Sequence, residues 1–168
     1  MRQSIKISVQ PMKKILMMVA LMAMTLTVSA QDVKTYEFEK FTAVYPADFE
    51  LNMVWGECWG FKIGDDHLYE VVIDPYCTTL NGLKDYGDYR KESMEEKGFK
   101  CDEPVVQGNT VYVRGVNGNQ VHYDFAVKDA SLPEEEAFRG FFYCLTSDEA
   151  KYKPIFLEKL LPGLKLKK

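Results

Sequence analysis

Glu57 stands between Trp55 and Trp59 in a run where every second residue from Leu51 to Ile63 is otherwise large and apolar. A carboxyl buried on that side of a strand has a raised pKa or a cationic partner, and such groups gather at functional sites. A bulge at Gly56, or an edge position, would instead let Glu57 reach water, and the two tryptophans serve equally as core or as a binding platform. A second set, Tyr112, Arg114, His122 and Asp124, falls on two strands flanking Asn117-Gly118-Asn119. A three-residue loop there pairs Val113 with Tyr123 and Val111 with Phe125 on one apolar face. The other face then sets Arg114 opposite His122 and Tyr112 opposite Asp124, a combination suited to an anionic group or a partner's acidic side chain. On a solvated face the same cross-strand pairs need no ligand. A third arrangement is a cysteine nucleophile with His67 or His122 as its base, which no local motif supports. The chain has no phosphate-binding glycine loop, paired-His metal motif or calcium loop, so no metal, cofactor or catalytic set is expected.

The N-terminal residues bear on where this chemistry would take place. Lys13 and Lys14, the apolar run from Ile15 to Leu26 and the small residues Val28-Ser29-Ala30 make up an export leader with its cut before Gln31. The run falls short of the about 20 residues of a membrane span and no basic stop-transfer cluster follows, so cleavage without a stable membrane anchor is expected. Met12 directly precedes the lysines and is an alternative start. The expected division is a signal peptide, residues 1–30, and one α+β domain, residues 31–168, in the periplasm or secreted. The leader holds four basic residues and no acidic one, leaving 17 basic against 25 acidic residues beyond it, a balance that disfavours nucleic acid.

All four cysteines, Cys58, Cys77, Cys101 and Cys144, lie beyond the leader, and an even count in an oxidising compartment predicts two disulfides. Cys77 and Cys101 bracket a helix of about 16 residues, some 24 Å long. A bridge tolerates about 7 Å between Cα atoms, so the connectivity containing 77 to 101 is disfavoured and the other two pairings stay open.

The elements that position these residues follow the order strands, helix, strands, helix. Phe41 to Tyr45 reads as a strand ending at Pro46, Leu51 to Ile63 as one long strand by its period of two, and Leu68 to Ile73 as the next after Gly64-Asp65-Asp66. A helix from near Asn81 carries Leu83, Tyr86, Arg90 and Met94 on one side and stops at Gly98. Val111 to Val116 and Val121 to Val127 form the hairpin, and Ala137 to Leu145, apolar on both sides, reads as a strand covered on both faces. Thr146 with Glu149 predicts a capping box opening the last helix, which Pro154 should restart or kink.

This order, closed by Gly140-x-Phe142-Tyr143-x-Leu145-Thr146 and Tyr152-x-Pro154-x-Phe156, resembles the PsbP-like fold. That superfamily is named for an extrinsic photosystem II protein, and it includes a nuclear Ran-GTPase-binding protein and many exported bacterial proteins. The resemblance implies an α+β architecture, an antiparallel sheet of about six strands sandwiched by helices in β-β-β-α-β-β-β-α order. It also implies binding work without catalysis. The expected function is an exported, non-catalytic binding or accessory module for a protein or small-molecule partner. The alternative is a small exported hydrolase or thiol enzyme using Glu57 or a free cysteine.

Overall fold

The computed structural model describes residues 32–55, 58–74, 82–133 and 136–167, the side chains of 53–55 and 74 excepted. Among the described residues eleven strands, β1 (Val33–Glu37), β2 (Phe41–Pro46), β3 (Glu50–Trp55), β4 (Cys58–Ile63), β5 (His67–Asp74), β6 (Lys100–Cys101), β7 (Val105–Gln107), β8 (Thr110–Asn117), β9 (Gln120–Val127), β10 (Ala137–Leu145) and β11 (Lys165–Leu166), form two antiparallel sheets. The small sheet is ordered β1-β2-β11. The large one runs β3-β4-β5-β10-β9-β8-β6, with β7 also on β8. The α+β class and antiparallel pairing match the expectation, with a second sheet and five more strands than expected.

The helical residues are α1 (Leu83–Glu96), α2 (Glu149–Ile155) and a π-helical turn, Phe156–Leu160. Gly98 ends α1 as expected. At φ 87° it donates to the Glu95 carbonyl, and Phe99 N–H reaches back to Met94, the paired bonds that satisfy the last carbonyls of a helix. The capping box is not formed. Asp148 takes the N-cap without a side-chain bond to the helix backbone, its carboxylate lying on His67 while Glu149 is engaged by Arg114. Pro154 sits inside α2, and the helix widens beyond it, Leu161 N–H bonding to the Phe156 carbonyl.

The single strand expected from Leu51 to Ile63 is a hairpin. Trp55 pairs with Cys58, so only residues 56 and 57 separate β3 from β4, and the register shifts between Leu51 and Met53. A two-residue connection reverses the chain while preserving the alternation of large residues, which is why the period alone did not reveal it.

The second correction concerns β8 and β9. Asn117 pairs with Gln120, Arg114 with Tyr123 and Val113 with Asp124, one residue away from the register expected of a three-residue loop. Gly118, at φ 59°, takes the first central position of a two-residue turn, where a mirror-image turn needs glycine. Both faces of this hairpin are covered, so a single apolar face does not set its register. On one, Tyr123 and Phe125 join Phe61, Tyr69, Phe138 and Phe142 in the main core, under Phe41 of β2 and Tyr152, Phe156 and Leu160 of the C-terminal helical segment. On the other, Val111 and Ala126 pack with Tyr86 of α1. The β10 strand lies at the middle of the large sheet between β5 and β9, its Phe138 and Phe142 fully buried.

Candidate functional site

The observed register separates Tyr112 and Arg114 from His122 and Asp124. Residues opposite each other share a face, so Arg114 joins Tyr123 toward the main core while His122 and Asp124 turn toward α1. The expected polar face of all four is thereby overturned, and two separate clusters replace it.

On the core side, Arg114 grips Glu149 at the start of α2 with two bonds, Nε to Oε1 at 2.6 Å and Nη2 to Oε2 at 2.7 Å. Its Nη1 reaches Asp102 at 3.1 Å, and the Tyr123 hydroxyl donates to the same Glu149 carboxylate. Hydrogen bonding from Arg114 holds the Glu149 carboxyl down to about 2, and burial together with Glu149 pushes the Tyr123 hydroxyl up. This is a fork-to-carboxylate pair that ties the sheet to the helix.

On the α1 side, Asp124 is 2% exposed and accepts from Arg90, in an ion pair, and from the Tyr86 hydroxyl at 3.2 Å. Arg90 and Tyr86 are one helical turn apart on α1, so one face of the helix supplies both donors. His122 lies among rings, with centroids of Phe141 at 5.1 Å, Phe99 at 5.5 Å and Tyr143 at 6.2 Å. Burial pushes its imidazole down to about 4, so it is neutral at pH 7.

The remaining candidates disperse. Trp59 is packed against Phe38 and Phe41, at 4.5 and 4.7 Å between centroids, which makes it part of the core edge. The Trp55 side chain and Glu57 lie outside the described residues. Tyr112 lines a cleft between the strand ends and the C-terminal segment.

The expectation of two disulfides is not met. Cys58, Cys101 and Cys144 are free, and any two-bridge pattern among four cysteines must join two of these three. Cys77 lies outside the described residues. Cys58 and Cys144 sit on opposite faces of the large sheet, since Cys58 pairs with Val72 while the buried Cys144 belongs to the main core. Burial, with Glu70 beside it, pushes the Cys58 thiol up to about 12, and burial pushes Cys144 up to about 12 and Cys101 upward as well. A thiol nucleophile needs the opposite shift. His67, one of the expected bases, is bonded to Asp148 at 2.9 Å, and His122 is enclosed by its rings.

Sequence reading missed Arg90 and Tyr86 as partners of Asp124, although it placed both on one side of the first helix. Had α1 been packed on β9, their spacing would have offered the donors a buried aspartate requires. Glu149 was visible only as a cap. Among the described residues no group of three or more His, Cys, Asp and Glu is placed to hold a metal ion, and no helix is long and apolar enough to cross a membrane.

Fold and site together define an α+β protein with antiparallel sheets, its polar clusters closed on themselves. Among solved structures the chain is similar to the Ran-binding protein Mog1p of Saccharomyces cerevisiae, with a TM-score of 0.56 and 14% identity, covering 82% of this chain and 96% of that one. At that identity the likeness carries the fold and assigns no family. No family model and no curated protein matches the sequence.

Proposed function

We propose that the chain is an exported, non-catalytic module that binds a protein partner. The observation that carries this reading is the closure of its polar clusters, with Arg114 spent on Glu149 and Asp124 on Arg90, each bond joining a helix to the large sheet. Side chains used as struts leave partner recognition to the surface. The likeness to a Ran-binding protein supports binding as the work of this fold, and the leader at residues 13–30 supports a location where a nuclear GTPase is not the partner. The acidic balance beyond the leader weighs against nucleic acid.

The test is expression of the full chain with its own leader, followed by intact mass and native mass spectrometry of the product. The expected product begins at Gln31, is found outside the cytoplasm and carries one protein at fixed stoichiometry. A full-mass chain retained in the cytoplasm would sink the export reading. An exported chain with no stoichiometric partner that turns over an ester or thioester substrate would sink the binding reading in favour of an enzyme.

A further inference from the structure

A cleft of about 500 Å³ lies between the ends of β7, β8 and β9 and the segment that follows the π-helical turn. Ligand pockets typically run from about 300 to 1,000 Å³. Its lining sets the aliphatic Val127, Leu157, Leu161 and Leu164 beside the polar Gln107 and Thr110. Two opposite charges belong to the same lining, Asp129 just beyond β9 and Lys165 at the start of β11.

Among the described residues these two charges are paired neither with each other nor with another ion. Lys167, two residues on, is taken by Glu37 at 3.3 Å. Lys128, beside Asp129, donates to the Pro133 carbonyl and to that of Glu136 at 2.7 Å. Asp129 keeps Oδ1 on its own turn, accepting from Ser131 N–H at 2.8 Å, and leaves Oδ2 open. The Tyr112 hydroxyl on the cleft wall likewise has no hydrogen-bond partner among the described residues.

We propose that this cleft binds a zwitterion of the amino-acid type with an aliphatic side chain. The ammonium meets Asp129, the carboxylate meets Lys165 and the Tyr112 hydroxyl, and the side chain lies against the leucines of the lining. A simple carboxylic acid would face Asp129 with like charge, an amine would face Lys165 in the same way, and an uncharged ligand would leave both charges unused. The inference is independent of whether a protein partner also binds.

The same chemistry is offered by a free amino acid or by a short peptide, and one experiment separates them. The intact protein is titrated calorimetrically with L-leucine, L-leucyl-L-leucine, 4-methylpentanoate and 3-methylbutylamine. One of the zwitterions is expected to saturate a single site, with each singly charged analogue weaker by roughly tenfold, as for loss of a charge-assisted hydrogen bond. Tighter binding of leucine identifies the free amino acid as the source, and tighter binding of the dipeptide a short peptide. Lys165→Met should reduce the zwitterion to the affinity of the amine, and Asp129→Asn to that of the acid. Asn keeps an acceptor for Ser131 N–H, and a melting curve of each variant checks that it is folded. Methyl chemical shifts of Leu157 and Leu161 should move on titration of the unmutated chain. No saturable heat from either zwitterion up to roughly 10 mM, analogues that bind equally, or folded variants with unchanged affinity would overturn the proposal.

Discussion

The sequence places Asp124 on a polar strand face opposite Tyr112, whereas in the structure it lies opposite Val113. A one-residue slip exchanges every side chain of one strand between faces, so these residues were given the wrong neighbours. Arg114 and Glu149 show what the clusters do. The pair is partly buried, so Arg114→Met and Glu149→Gln should each cost about 1–3 kcal/mol, and the double variant less than their sum, by chemical denaturation. A role in binding alone would leave stability unmoved. His122 and Glu149 also set the acid limit. Both are pushed below their unfolded values, His122 from 6.5 to about 4 by burial and Glu149 from 4.5 to about 2 by Arg114, so each contributes stability above its unfolded value and loses it as pH falls toward the folded one. Asp124 opposes the His122 shift, while Arg90 and Lys97 add to it. Stability should therefore fall first between pH 6.5 and 4, by up to about 3 kcal/mol, and His122→Phe should remove that first fall while keeping the later one.

At the scale of elements, the strands with clear ends and the helix with a terminal glycine were legible: β10 has the expected bounds, and α1 ends where Gly98 requires. The hairpin of β3 and β4 was not, because alternation continues through a two-residue reversal. Neither were β1, β6, β7 and β11, short strands whose residues carry little pattern of their own and are ordered by the edges they join. Glu149 illustrates a different limit: its local capping signal lost to a tertiary partner. Gly140 supplies a sharp test of the sheet. A Cβ built there would stand 1.9 Å from the Glu70 carbonyl oxygen of β5 and 3.0 Å from the Phe125 ring. Backbone on one side and a packed core on the other leave nothing to yield, so Gly140→Ala should cost more than about 4 kcal/mol and be recovered largely as insoluble chain, measured by soluble yield and melting. Ala at Gly118 would fit the space but not the φ of 59°, and should be milder at about 1–2 kcal/mol.

Among the described residues, two sheets and three helical pieces enclose an aromatic core with no bridge among the described cysteines. Dithiothreitol should accordingly leave the melting temperature unchanged, and iodoacetamide should label the folded chain slowly at Cys58, Cys101 and Cys144. A melting point that drops under reductant would restore the disulfide expectation. The position of β10 has a further consequence, for the order of assembly. The middle strand of the large sheet is encoded by residues 137–145, after every other strand of that sheet. Until those residues are made, β3–β5 and β6–β9 are two half-sheets with a gap where each needs its neighbour, and neither half can close on the other. Closure across that gap joins residues far apart in sequence and is slow for the same reason. A chain still being synthesised thus has no complete large sheet until the strand at its middle has been made.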